Sequence, residues 1–137
     1  MAEPSPSQLI TDWIAAAKNK DAKTIAGYYT SNAILCATPE GIVVGKTAIE
    51  SDYETNFGAG WVLDGASVQS NNQGTSPNWA WAVGQWNGSA PIPPPNGQRV
   101  PLSGYWSILF VNQGTSAQAN WLIQQHTIVT NLPSQTR

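Results

Sequence analysis

Few side chains in this sequence could carry acid–base chemistry, and His126 is the first of them. It is the only histidine in 137 residues, and an imidazole exchanges protons near neutral pH. We therefore predict His126 as a candidate general acid or base; the alternative is a structural histidine in the core or at a dimer interface. Strict strand alternation places His126 on the face of Leu122 and Gln124, opposite Trp121 and Ile123, and a single β-bulge would reverse this placement.

Other nucleophiles and metal ligands are scarce. Cys36 is the only cysteine, which excludes an internal disulfide. It could act as a nucleophile, but no neighbouring cationic residue would activate the thiol, and buried packing is the alternative. With one histidine and one cysteine as soft ligands, the sequence predicts neither a metal site nor a cofactor.

The carboxylates offer two further candidates for a base. Glu50, Asp52 and Glu54 fall on a predicted helix face, where a solvated role is the main reading and catalysis the alternative. Asp64 lies in a predicted strand and would serve as a base only if its side chain pointed inward, with surface exposure as the alternative.

Aromatic residues suggest a binding site for a small organic molecule. The chain has seven tryptophans, and aromatic walls suit flat apolar ligands or sugars. The alternative is that most of these rings simply fill the core. The predicted ligand-binding residues are Trp13, Tyr28, Cys36, Tyr53, Trp81, Trp106 and Gln124.

The charge pattern excludes several classes of partner. Charged residues make up 10% of the chain and the net charge is −2, against about 25% charged residues in an ordinary soluble domain. The six basic residues are scattered singly, which argues against nucleic acid or an anionic membrane surface as a partner. No apolar stretch approaches the length of a membrane-spanning helix.

No leader is evident, so we expect a cytoplasmic protein; a periplasmic or secreted protein whose signal peptide has been removed is the alternative.

Three helices are predicted in the first half of the chain. Apolar residues at helical spacing indicate helices over 7–19, 21–29 and 47–57. Glycines at 58 and 60 end the third helix. The predicted N-caps are Ser7, Asp21 and Thr47, with Glu50 as the capping-box partner of the last.

Strands dominate the second half. Two short strands are predicted over 33–37 and 42–44, with turns at 30–32 and 39–41. Four long strands follow; they span 61–70, 78–87, 99–112 and 118–131. The prolines between 88 and 98 predict a loop, because proline cannot occupy the interior of a ladder. That loop would be a rim or lid, with a partner that reads polyproline at 91–95 as the alternative.

This order of elements predicts an α+β fold in one domain over 1–137, with its core at about 7–130. The helices would pack on one face of a strongly curved, mainly antiparallel sheet. In the predicted strand 99–112, Trp106, Ile108 and Phe110 alternate with Tyr105 and Leu109, so both faces are apolar. We therefore predict a homodimer through the sheet face.

The layout resembles the SnoaL-like, nuclear-transport-factor-2-like superfamily, which includes ketosteroid isomerases, dehydratases and polyketide cyclases. The likeness covers about residues 7–130 and implies a conical fold around a mostly apolar pocket, in many members within a dimer. The matching segments are Trp13-Ile14-Ala15-Ala16-Ala17, Lys20-Asp21, Gly45-Lys46-Thr47-Ala48-Ile49, Ala82-Val83-Gly84 and Trp121-Leu122-Ile123.

The catalytic positions that the resemblance implies are not filled as in ketosteroid isomerases. The tyrosine of the first helix corresponds to Trp13, the general-base aspartate to Ala37, and the protonated aspartate of a late strand to Gly104. Carbonyl enolisation needs both a base and an oxyanion donor, so ketosteroid isomerase activity is disfavoured. The Asp-Arg-Asp cluster of epoxide hydrolases is also absent, since Arg99 is the only arginine in the body of the sequence.

We therefore expect a protein that binds a small apolar or aromatic molecule in the cone, with isomerase-, dehydratase- or cyclase-type chemistry as a further possibility. The rival hypothesis is a non-catalytic binding module or a dimeric assembly module, whose working surface is the sheet face. Titratable groups that converge inside the pocket would favour the hypothesis that the protein is an enzyme.

Overall fold

A computed structural model describes residues 5–38, 41–72, 76–115 and 117–131. Within these ranges the chain forms helices in its first half and long strands in its second, as predicted. The elements are α1 (Pro6–Lys18), α2 (Ala22–Ala26), β1 (Tyr29–Ala37), β2 (Gly41–Val44), α3 (Lys46–Gly58), β3 (Val62–Asn71), β4 (Trp79–Ile92), β5 (Gln98–Asn112) and β6 (Trp121–Asn131).

The first helix begins earlier than expected. Ser5, and not Ser7, is the N-cap of α1, and its side chain accepts a hydrogen bond from the backbone N–H of Gln8. Pro6 occupies the first helical position, where a missing N–H costs nothing. The predicted apolar face is buried and includes Leu9 and Trp13.

The second helix is shorter than predicted. Asp21 caps α2 as expected, since its carboxylate accepts from the backbone and hydroxyl of Thr24. The prediction that the helix continues to Tyr29 is wrong, and so is the turn over 30–32. The carbonyl of Tyr28 instead accepts from the backbone N–H of Ile123 in β6, so the chain is already extended when β1 begins at Tyr29.

The third helix starts from a glycine. Gly45 is the N-cap of α3, with φ +97° and no side-chain cap, so the predicted capping box of Thr47 and Glu50 is wrong. A backbone with this φ suits glycine. The predicted turn at 39–41 lies partly outside the described residues.

The strands form one mixed sheet that does not close, in the order β2-β1-β6-β5-β4-β3. Strands β3 to β6 form the predicted antiparallel meander. Strand β1 pairs in parallel with β6 and antiparallel with β2. The helices cover one face of this sheet, which is the predicted α+β cone.

The proline-rich segment is more regular than predicted. Strand β4 extends to Ile92 and β5 begins at Gln98, so only 93–97 remain as a loop. The expectation that 88–92 lie outside the ladder is wrong, because Pro91 pairs with Arg99. The pairing of β4 with β3 ends at Ser89, so Pro91 lies where β4 is an edge strand and its missing N–H is tolerated.

A β-bulge in β6 decides which side chains face the helices. Leu109 pairs with Gln125 and Phe110 pairs with Ile123, which leaves Gln124 as an extra residue. Ile123 and His126 are therefore both buried. Strict alternation would have placed them on opposite faces, so the bulge reverses the placement of His126.

The core lies between the helices and the inner face of the sheet. On β4 and β5, the inner positions include Ala82, Trp86, Trp106 and Phe110, all buried. Their neighbours face the other side, where Tyr105 is 52% exposed. Within the described ranges no helix is long and apolar enough to cross a membrane.

Candidate functional site

His126 is the buried polar centre of the inner face. Only 2% of its surface is exposed. Trp13 of α1 meets the imidazole edge-on, with ring centroids 5.4 Å apart, and the ring of Tyr29 stacks on it at 6.1 Å. Three elements, α1, β1 and β6, thus place this side chain.

The Tyr29 hydroxyl joins four side chains into one buried network. Its oxygen lies 2.7 Å from Nδ1 of His126 and 3.0 Å from the hydroxyl of Tyr53. The indole N–H of Trp13 donates to the same oxygen at 3.2 Å. Because Tyr53 belongs to α3, the network links α1 and α3 to the sheet.

Counting donors assigns the proton on His126. Trp13 can only donate, so one lone pair of the Tyr29 oxygen is taken. If Tyr53 donates to the second lone pair and Tyr29 donates to Nδ1 of His126, both hydroxyl hydrogens have acceptors. The reverse arrangement leaves the Tyr53 hydrogen without a partner among the described residues. The geometry therefore favours a neutral His126 with its proton on Nε2.

Burial sets the protonation states of this network. Desolvation lowers the pKa of His126 to about 3, so the imidazole is neutral at pH 7. Desolvation likewise raises the pKa of Tyr29 and of Tyr53, and the negative charge of Asp52 adds to both shifts. At neutral pH the network is thus a set of uncharged donors and acceptors.

An apolar cavity adjoins His126. Its volume is about 30 Å³, room for one or two water molecules. His126 is the one titratable side chain that lines it in the described part of the chain. The lining residues are Ile10, Trp13, Ile14, Trp61, Leu63, Ala66, Trp86, Trp106, Ile108, His126 and Ile128.

A second, more polar cavity lies next to the first. Its volume is about 60 Å³, and Trp61, Trp86 and Ile128 line both cavities. Asp52 and Asn56 of α3 contribute its polar groups, together with Thr130 of β6; the other residues that line it are Leu35, Ala37 and Tyr53. We call these two spaces the apolar cavity and the polar cavity.

The structure brings together four of the predicted site residues. Trp13, Trp106 and His126 line the apolar cavity, and Tyr53 lines the polar one. The fifth, Trp81, lies on the other face of the sheet, in a groove with Val83 and Leu109.

The remaining predicted residues line neither cavity. Tyr28 is half-buried against the core. Cys36 is half-buried in β1, beside Thr127 of β6. Gln124 is the bulged residue, and its side-chain oxygen accepts from the hydroxyl of Thr30. Asp64 is exposed on β3.

The positions that correspond to the isomerase residues have other roles or no functional group here. Trp13 donates to Tyr29 and lines the apolar cavity. Ala37 lines the polar cavity without a functional group. At Gly104, a Cβ would collide with the carbonyl of Val129 and lie 2.9 Å from Nε1 of Trp86, so this position cannot carry an aspartate.

Sequence reasoning missed two members of the site. The sequence predicts Tyr29 as the last residue of the helix over 21–29, although its place beside Tyr28 and before Thr30 is also typical of a strand start. Trp61 was read as the first residue of a strand. It lies instead between α3 and β3, after Gly60 with φ +100°, and the Gly-Ala-Gly run before it was the available signal.

Comparison with known proteins shows the fold. No protein-family model and no curated protein matches the sequence. Among solved structures, a ketosteroid isomerase-like protein from Erwinia carotovora atroseptica aligns with a TM-score of 0.79 at 18% identity, over 93% of this chain and 94% of that one.

Two further structures agree. A proposed polyketide cyclase from Xanthomonas campestris aligns with a TM-score of 0.65 at 17% identity, over 91% of this chain and 89% of that one. An NTF2-like protein with a cystatin-like fold from Novosphingobium aromaticivorans aligns with a TM-score of 0.60 at 15% identity, over 88% of this chain and 76% of that one. The chain therefore has the nuclear-transport-factor-2-like, SnoaL-like fold.

Proposed function

We propose, starting from this shared fold, that the chain binds a small, largely apolar organic molecule beside His126. One observation carries the proposal. The imidazole uses Nδ1 for Tyr29, and His126 also lines the apolar cavity, so its Nε2–H is the donor that remains for a ligand there. A hydrogen bond from this N–H contributes about 0.5–1.5 kcal/mol net, so a ligand oxygen at this point would be favoured.

The proposed ligand follows from this arrangement. Aromatic and aliphatic side chains surround the cavity, so the body of the ligand should be apolar, with one hydrogen-bond acceptor facing Nε2. The cavity is far smaller than the roughly 300–1,000 Å³ typical of ligand pockets. Binding therefore requires a lining side chain to move.

The same donor limits the chemistry that we propose. In isomerase- or cyclase-type reactions, an Nε2–H would stabilise negative charge on a carbonyl oxygen. Removal of a proton from carbon would need a base, and no carboxylate lines the apolar cavity within the described ranges. We therefore propose binding as the function, with His126 as the hydrogen-bond donor.

A pair of isosteric probes tests this role. Acetophenone has a carbonyl where α-methylstyrene has a CH₂ group, so only the first can accept from Nε2. Titrations followed by tryptophan fluorescence should show acetophenone binding up to about 10-fold tighter. Trp13, Trp61, Trp86 and Trp106 line the cavity and should report binding.

Two variants of His126 complete the test. H126L should abolish the preference for acetophenone, whereas H126Q, which keeps an N–H donor, should retain part of it. Equal binding of both probes to the natural chain, or an unchanged preference in H126L, would contradict the proposal.

A second candidate function is dimeric assembly through the outer sheet face. This surface, formed by Trp81, Val83, Tyr105, Ser107, Leu109, Thr127 and Val129, carries grooves of about 320 and 250 Å³. None of these side chains is charged, so a second copy could pack on it without bringing like charges together. We propose a homodimer with this face as its interface, and its test is given among the predictions below.

A further inference from the structure

The two cavities beside His126 share one wall. Trp61, Trp86 and Ile128 line both the apolar and the polar cavity. Each cavity is small by itself, about 30 and 60 Å³. A molecule much larger than water needs more room than either cavity provides. Movement of a side chain of this wall would make the two spaces continuous.

Of the two tryptophans in the wall, Trp61 is the one whose side chain is held by fewer hydrogen bonds. The indole N–H of Trp86 donates to the carbonyl of Val129 at 3.2 Å. The indole of Trp61 has no such acceptor among the residues that the structure describes. Stacking on Phe57, at 5.6 Å between ring centroids, and an edge contact with Trp86 at 6.0 Å hold it instead.

The backbone around Trp61 is compatible with such a movement. Trp61 belongs to no helix or strand and follows Gly60, whose φ is +100°. Its backbone N–H is tied to the carbonyl of Asn56 at 3.0 Å, so the main chain stays attached to α3. Rotation of the side chain alone would therefore remove the partition.

The charge of the joined space indicates what it would hold. Asp52 is the one charged side chain among the described residues that line the two cavities. The side-chain amide of Asn56 donates to its carboxylate at 3.3 Å, which orients it. The negative charge of Asp52 also raises the pKa of the Tyr29 and Tyr53 hydroxyls. Its electrostatic field therefore extends into the site and would repel an anionic ligand.

We propose that the apolar and polar cavities are two ends of one binding site, divided by the Trp61 side chain. The site takes an elongated molecule whose primary ammonium group meets Asp52. Its carbon chain passes the wall toward the apolar cavity, where its far end carries the hydrogen-bond acceptor that faces Nε2 of His126. This inference rests on the proposed function and adds to it the chemical class of the ligand.

Three probes of equal length and different head group test this assignment. Hexylamine, 1-hexanol and hexanoate are titrated at pH 7 by calorimetry. A charge-assisted hydrogen bond to Asp52 should make the amine bind about 10-fold tighter than the alcohol. Hexanoate should bind weakest, because its carboxylate faces that of Asp52.

Removal of each charge in turn separates a specific contact from a general field. D52N should reduce amine binding about 10-fold and leave the affinity for 1-hexanol within about 2-fold. E54Q removes the same charge from an exposed position of α3 and should change neither affinity. Equal effects of D52N and E54Q on amine binding would overturn the assignment of Asp52.

Variants of Trp61 test the partition. W61A removes the wall and should tighten binding of both the amine and the alcohol, with their order unchanged. W61F keeps an aromatic ring and serves where W61A does not fold; its affinities should stay close to those of the natural chain. Unchanged affinities in a folded W61A would overturn the role of Trp61 as partition.

The outcomes also separate this inference from the function on which it rests. If 1-hexanol binds and hexylamine binds no tighter, the amine assignment fails and the proposed function stands. If no probe binds the natural chain or W61A, and acetophenone also fails to bind, both fail together.

Discussion

The Tyr29 hydroxyl lies 2.7 Å from Nδ1 of His126, although 97 residues separate the two in the chain. The parallel pairing of β1 and β6 brings them together, and Trp13 and Tyr53 complete the hydrogen-bonding of the same hydroxyl. This contact makes the stability of the fold and the chemistry of the site depend on the same atoms.

Loss of the Tyr29 hydroxyl should be costly. Y29F leaves the Trp13 and Tyr53 donors and Nδ1 of His126 without a partner, so we expect a loss of about 3–5 kcal/mol in the free energy of unfolding. Y53F removes a single donor and should cost about 1 kcal/mol. Urea denaturation of both variants measures this, and equal losses would show that Tyr29 is not the centre of the network.

Stability should depend on pH through His126. Its pKa is about 3 in the folded chain, against an ordinary value of 6.5, so the unfolded chain binds a proton that the folded chain does not. The stabilisation is complete above pH 6.5 and is lost as the pH falls toward 3, by about 1.4 kcal/mol per pH unit.

A variant isolates this contribution from that of the carboxylates. In H126Q the loss between pH 6 and pH 4 should be smaller than in the natural chain by about 2–3 kcal/mol. Urea denaturation at several pH values gives the comparison. Parallel curves for the two proteins would mean that His126 is not buried in its neutral form.

Gly104 should tolerate no side chain. A Cβ there would collide with the carbonyl of Val129 and crowd Nε1 of Trp86, which donates to the same carbonyl. We expect G104A to destabilise the chain by about 2–4 kcal/mol. S103A, at an exposed neighbouring position, is the matched control and should change stability by less than about 0.5 kcal/mol. Thermal unfolding of both checks this.

The outer sheet face should control the oligomeric state. Tyr105 is 52% exposed at its centre, and Y105K would place two ammonium groups near each other in a symmetric dimer. We expect the natural chain to be a dimer at micromolar concentration by light scattering and Y105K to be a monomer. A15K, on the exposed side of α1, should leave the dimer intact. A natural chain that is monomeric would refute this proposal.

Periodicity predicted the elements well where the pattern was long. The apolar spacing of α1 and the alternation in β5 agree with the structure, because one face is buried along the whole of α1 and from Gly104 to Phe110 in β5. The end of α2 could not be predicted in this way. Tyr28 and Tyr29 have helical spacing relative to Ile25, but the contact that keeps them extended comes from Ile123, almost a hundred residues away.

The site was harder to predict than the fold. His126 is the predicted catalytic candidate, but the sheet face on which its side chain lies depends on the bulge at Gln124. The alternation of apolar and polar residues does not reveal this bulge. Asp52 is predicted, with Glu50 and Glu54, to lie on a solvated helix face, with catalysis as the alternative. Its place beside a cavity depends on how α3 lies on the sheet, which local sequence does not encode.

The position of β6 has a consequence for how the chain acquires its structure. In the sheet β2-β1-β6-β5-β4-β3, the strand that comes last in sequence among those described fills an interior place. Until it emerges from the ribosome, β1 and β2 cannot join the meander of β3 to β5. Such non-local pairing slows folding and leaves strand edges open in the meantime. A truncation within β6 should therefore yield an aggregation-prone chain, even though α1, α2 and α3 precede the truncation.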